Sequence, residues 1–197
     1  MAATVFNLVL EQGISFSQIV RWEIEPFLFA QIASITNSAP VRIATLTPHG
    51  LTDGWRVAVV GAKGLTSLNA VHNPPIEIDF KRVTIVDAST IEFNPISTAL
   101  DPAYTTGGYL QWYTPASLIG CTAVFRVQNP SRTVTYLTDA NPPVTVTLDN
   151  AEKTVTIAID KTVTQSLTFK NAVYDLEITT SSGIVWPILT GKVTVIK

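Results

Sequence analysis

Hydrophobic residues recur along this chain with a period of two, the spacing of a half-buried strand. In YDLEITTSSGIVWPIL, Tyr174, Leu176 and Ile178 alternate with Asp175, Glu177 and Thr179. Ser181-Ser182-Gly183 then supplies a turn and a second apolar run follows, a hairpin pattern. Pro187 removes a ladder donor from that run, so it predicts an edge strand or a bulge. ISFSQIVRWEI sets Ile14, Phe16, Val20, Trp22 and Ile24 on one face, with Gln18 the exception, and turns Ser15, Ser17, Arg21 and Glu23 the other way. VTVTLDNAEKTVTIAI reads as two β-branched strands joined by Asp149 to Lys153, and GKVTVIK as a final strand. Helical signals are few. DKTVTQSLTFKNA supports one or two turns after an Asp160 cap, and its Thr and Val content opposes a long helix. EPFLFAQIA is an apolar run that fits helix or strand. Twelve prolines and ten glycines punctuate the chain at roughly strand-length intervals, which predicts an all-β sandwich or small barrel.

The middle of the chain has a different texture. From about Ser34 to Trp112 the strands are short: PVRIATL, RVAVVGA, PIEIDFKRVTIVDASTIEFN and GYLQWY. The strands before and after look like parts of one other sheet. The expectation is a discontinuous β-sandwich-like domain, residues 1–33 and 113–197, with a small β-barrel-like module, residues 34–112, inserted into it. A chain of 197 residues is long enough for each part to bury a core.

Composition narrows the function. Hydrophobic residues make up 46%, which excludes a disordered chain, and charged residues only 14%, well under the usual quarter. So sparsely charged a surface is filled by Thr, Ser, Asn and apolar groups, and such surfaces are often covered by partners. The net charge is −2 and the 13 Lys and Arg are scattered, which gives no footprint for nucleic acid. Cys121 is the single cysteine, so no intrachain disulfide can form, and within LIGCTAVFRV it reads as a small buried hydrophobe. The opening MAATVFNLVLEQG lacks a positive leader and a cleavage motif, and no apolar run reaches the roughly 18 residues of a membrane span.

The stretch TPHGLTDGWRVAVVGAKG, residues 47–64, is the strongest invitation to read chemistry. A phosphate loop needs a strand, clustered glycines and then a helix; here a strand follows Gly54, and neither G-x-x-x-x-G-K-[ST] nor G-x-G-x-x-G occurs. Gly50 and Gly54 fit turns around Leu51-Thr52-Asp53, and Gly61 and Gly64 fit the end of the next strand. His49 has no partner serine in a nucleophile elbow, and His72 precedes two prolines in a loop. Glu77, Asp79, Asp87 and Glu92 fall at strand spacing and read mostly as solvent-facing, with no mark of a paired-carboxylate site. No residue is expected to bind a metal or cofactor, or to act as a catalyst. A wall-degrading hydrolase is the weakest function class. A sugar-binding module is a second class, with Trp55, Trp112 and Tyr113 as its exposed candidates and Trp22 and Trp186 in core-like strands.

Two resemblances point to a third class. His49-Gly50-Leu51, Gly54-Trp55-Arg56-Val57, Leu68-Asn69, the run Val86 to Phe93 and Tyr104-Thr105-Thr106-Gly107-Gly108 resemble a small β-module found in tailed-phage structural proteins. That module is named after the first catalytic cysteine half-domain of ubiquitin-activating enzymes. The match covers about 70 residues, departs at Trp55 and in HNPPIEIDFK, and implies a scaffold with no ubiquitin chemistry. The flanks FNLVLEQGISFSQIVRWE and AVYDLEITTSSGIVWPILTGKVTVIK resemble the opening and close of small tailed-phage virion proteins. The resemblance implies a non-enzymatic structural component of a phage particle, in its tail, baseplate or fibre-attachment region. Its partners would be other virion proteins and copies of itself, with a host-surface glycan, or a place at the head or neck, as the alternatives.

Overall fold

A computed structural model describes residues 3–140 and 144–197 of the chain. Residues 1, 2 and 141–143 of the expected anchoring domain lie outside the described residues. The chain is all-β. Three strands come first, β1 (Thr4–Val5), β2 (Leu8–Glu11) and β3 (Phe16–Val20). Seven follow: β4 (Glu23–Thr36), β5 (Val41–Thr45), β6 (Arg56–Val60), β7 (Lys81–Arg82), β8 (Thr84–Asp87), β9 (Thr90–Phe93) and β10 (Tyr109–Pro115), with a 3-10 turn over Glu77–Asp79 before β7. The last six are β11 (Thr122–Gln128), β12 (Thr135–Thr138), β13 (Val144–Asp149), β14 (Thr154–Ile159), β15 (Asn171–Thr179) and β16 (Val185–Ile196). The one α-helix among the described residues, α1 (Lys161–Ser166), starts where Asp160 accepts the Thr162 N–H, as the sequence predicts.

The chain divides into two compact units, Met1–Trp22 with Ala116–Lys197, and Glu23–Pro115. The second unit therefore begins at Glu23 and ends at Pro115, where the sequence suggests 34–112. The reason is β4. EPFLFAQIA is neither a helix nor part of the first unit; it is the front of one long strand that pairs with β10 back to Glu23↔Pro115.

In the first unit, a six-stranded sheet runs β1-β16-β15-β11-β12, with β2 also on β16, and a separate three-stranded sheet runs β13-β14-β3. Alternation decides what each buries. Leu8, Leu10, Phe125, Val127, Tyr174, Leu176, Ile178, Val193 and Val195 are buried from the large sheet, and Val144, Val155, Ile157 and Ile159 from the small one. The expected strand ISFSQIVRWEI is shorter than its pattern. Pairing stops at Val20, Ile14 lies outside the strand at 55% exposure, and Ile24 belongs to the other unit. GKVTVIK is no separate strand but the second half of β16, and the bulge foreseen at Pro187 falls where Glu177 pairs with Pro187 and Leu176 with Leu189.

In the second unit, seven strands run β7-β6-β10-β4-β5-β9-β8. The first and last of that order, β7 and β8, are separated in the chain only by Val83. Val83 donates to Trp55 O at 2.9 Å and accepts from Gly54 N–H at 2.8 Å, so the sheet curls until its two edges nearly meet. The interior is filled by Val41, Ile43, Trp55, Val57, Val59, Leu65, Ile91, Phe93, Leu110 and Trp112.

Candidate docking surfaces

The conspicuous residues of the barrel unit hold its turns. His49 is 7% exposed, and its Nε2 donates to Asp87 O at 3.1 Å while Nδ1 accepts the Leu51 N–H at 3.0 Å. That pair of bonds requires the neutral ring protonated at Nε2. Burial pushes the His49 pKa below its ordinary 6.5, against the opposing pull of the bond to Asp87. Asp53 accepts the Ile85 N–H at 3.0 Å, and the Asn69 amide bonds both the N–H and the C=O of Ala62, each at 2.9 Å. Tyr104 OH donates to Gly107 O at 2.9 Å. Gly50, Gly54, Gly61 and Gly64 all have positive φ, in keeping with turns.

The same holds in the flanking unit. Gln12 Nε2 donates to Leu167 O at 2.6 Å, and Tyr174 OH, on a fully buried ring, donates to Phe6 O at 2.7 Å. Desolvation raises the Tyr174 pKa to about 12. Asn7 Oδ1 accepts the Lys192 N–H at 3.0 Å. A Cβ on Gly191 would lie 2.0 Å from Phe6 O, so only glycine lets β16 pass this close to the N-terminal segment. The residues that carry the two-ended resemblance thus meet at one seam, where β1 and β2 lie parallel on β16.

Other sequence candidates change character. Trp55 and Trp112, expected at the surface, are 0% and 4% exposed core residues, since Trp55, just before β6, is in phase with Val57 and Val59, and Trp112 with Leu110 on β10. Cys121 is half-buried rather than buried; it precedes β11, and its Sγ points at Ser117 O, 3.5 Å away. Asp79 does not sit on a strand facing water. It ends the 3-10 turn, accepts from the Val71 and Ile76 N–H groups at 3.0 Å each, and meets His72 Nδ1 at 3.0 Å. The Ile76 bond, first among these, holds its carboxyl below the usual range. Glu77 reaches Arg56 at 3.4 Å, and Glu92 pairs with Arg42. Among the described residues no three His, Cys, Asp or Glu side chains form a metal-ligating group.

What remains open is surface. On the outer side of the six-stranded sheet, Asp175 is 7% exposed between Arg126, 3.0 Å away, and Arg132, 2.5 Å away, with Glu177 2.7 Å from Arg126. Glu177, then Asp175, raises the Arg126 pKa. This balanced cluster gives way toward the β2 edge to apolar groups. Val5 is 73% exposed, Val9 56% and Ile196 44%, while Leu8 and Leu10 point inward. Val5 pairs with Thr190 and Val9 with Thr194, so both valines share one face. Beyond β16, β2 has no strand partner among the described residues. Sequence alternation signals which side each valine takes; it carries no sign that the outer one stays uncovered. The chain matches no family model and no curated protein.

Proposed function

We propose that this protein is a structural component of a tailed bacteriophage particle, in the tail, baseplate or fibre-attachment region, and that it works by docking and not by catalysis. The observation that carries the reading is the N-terminal edge: β1 and β2 have no further strand beyond them among the described residues, and their outward positions include the exposed Val5 and Val9, with Glu11 at the end of β2. Exposed valines along an open edge invite sheet pairing or face docking, and the charge that would blunt the edge is limited to Glu11 at the end of β2. The low charge content agrees with contact area that neighbours cover. The flanking unit is the anchor in this reading; in the barrel unit, VHNPP, with Val71 at 88% exposure, is a surface loop.

The test is incorporation. The full chain is detected by mass spectrometry in purified particles of the phage that encodes it, and the Val5→Asp/Val9→Asp chain is absent from them although it melts like the parent. Both changes fall on exposed positions, so the core contacts of Leu8 and Leu10 survive. Particles that lack the parent protein, or that take up the double variant equally well, would overturn the proposal.

A further inference from the structure

The barrel unit carries one outward face whose chemistry differs from the rest of the surface. β4 and β10 pair so that Phe27 lies opposite Tyr113, Phe29 opposite Gln111, and Gln31 opposite Tyr109. These residues alternate with Leu28, Ala30, Leu110 and Trp112; Ala30, Leu110 and Trp112 belong to the core, so the six named side chains point outward. The first rung is closed. Phe27 and Tyr113 have ring centroids 4.4 Å apart, and Phe80 covers both, at 6.1 and 5.3 Å. The next two rungs are open, with Phe29 59% and Tyr109 48% exposed. Each holds one ring and one glutamine, placed crosswise, so each ring has one amide across the rung and another two residues along its own strand, at about 7 Å, and the two rings are diagonal to each other.

The amides are unused. No side-chain hydrogen bond among the described residues involves Gln31 or Gln111, although Gln111 is only 5% exposed between Phe29 on one neighbouring strand and Ala58 on the other. The Gln111 amide still reaches solvent at its tip, and a ligand hydroxyl would take the place of the water it meets there. The two open rungs carry no charge. Arg56, on the same side of β6, is held by Glu23 at 2.7 Å and Glu77 at 3.4 Å, and Arg82 stands opposite Arg56 on β7, away from the rungs. Uncharged rungs with one arginine beyond them disfavour nucleic acid and anionic lipid.

From this arrangement we propose that Phe29, Tyr109, Gln31 and Gln111 form a binding platform for a neutral glycan. A pyranose ring presents an apolar C–H face bordered by hydroxyls within a few ångströms, so it stacks on an aromatic ring while its hydroxyls reach a neighbouring amide. Two ring-and-amide rungs accept adjacent sugars of a chain. An apolar protein segment would cover the rings and leave the Gln111 amide unpaired, and this decides for sugar over protein. The inference does not rest on the phage reading; it concerns a different unit of the chain.

The experiment titrates the full-length, 15N-labelled protein with neutral oligosaccharides of glucose, galactose, rhamnose and N-acetylglucosamine. It follows the side-chain amide signals of Gln31 and Gln111 and saturation transfer from the aromatic rings. The expected result is that at least one probe shifts both amides at millimolar concentration. Phe29→Ala and Tyr109→Ala should each weaken that binding by about tenfold, the scale of one lost ring stack, with melting temperature unchanged. Gln111→Leu keeps the bulk and should reduce binding while the stacking signal persists. No shift with any probe would overturn the inference, as would binding that survives the Phe29→Ala/Tyr109→Ala double variant. So would loss of particle incorporation in that variant without any sugar binding in the parent, which would make the face a protein contact. The Val5→Asp/Val9→Asp chain should bind sugar like the parent, so failure of this inference and failure of the virion reading remain distinguishable.

Discussion

His49 shows how much a single buried ring can hold in place. Its two nitrogens join the Leu51 turn to Asp87 at the end of β8, and only the neutral form can do both. The unfolded chain therefore takes up a proton more readily than the folded one just below pH 6.5. Stability contributed by His49 is full above that value, falls as pH drops through it, and levels off once the lower folded pKa is passed. The Asp87 carboxylate, which attracts the charged ring, limits the size of the effect. Melting temperatures followed from about pH 7 to about pH 5 should decline for the parent and stay flatter for His49→Gln. His49→Ala should cost about 2 kcal/mol at neutral pH, read from denaturant unfolding, because the Leu51 N–H loses its acceptor in a buried site. A second residue-scale test is Gly191→Ala. With a Cβ placed 2.0 Å from Phe6 O, the N-terminal segment must lift from β16, and hydrogen exchange should show β1 and β2 losing protection while β14 keeps it.

Strands were more legible than their limits. Period two in YDLEITT and TVTIAI places the right residues inward, and the Asp160 cap marks α1 correctly. Trp55 and Trp112 were readable too, since Trp55 is in phase with Val57 and Val59, and Trp112 with Leu110. A surface position for either ring runs against that period. By contrast, nothing local shows that β4 spans 14 residues, because Phe27, Leu28 and Phe29 are apolar on both faces and alternation vanishes. For the same reason Phe29 could not be assigned to the surface: whether Leu28 or Phe29 faces out is fixed by pairing across the sheet, where Phe29 meets Gln111, far away in sequence. The seam of β1 and β2 on β16 likewise depends on contacts between the two ends of the chain. It also sets an alkaline limit. The Tyr174 phenol is neutral in the fold up to about 12, against an ordinary 10.0, so its contribution is complete below 10 and lost as pH rises through 12. Tyr174→Phe should remove that alkaline loss and cost about 1 kcal/mol at neutral pH for the missing bond to Phe6 O, both measurable by chemical unfolding.

For the whole molecule, the decisive contact is small. Ala116 N–H donates to Trp22 O at 2.9 Å, so the first unit holds together the two points where the chain departs for Glu23 and returns from Pro115. Deleting residues 23–115 and joining Trp22 to Ala116 through a short Gly-Ser linker should leave a cooperatively folding protein whose hydrogen-exchange pattern in β11 to β16 matches the parent. A molten product would show that the first unit needs the second. The bond has a wider consequence. A body that clasps the two ends of its own interruption has already paid the closure entropy of whatever is threaded between them. It is a socket, indifferent to the size of the graft, provided that the graft's own ends lie side by side. The barrel unit meets that condition through the Glu23↔Pro115 pair, and so would any sheet whose first and last strands are neighbours.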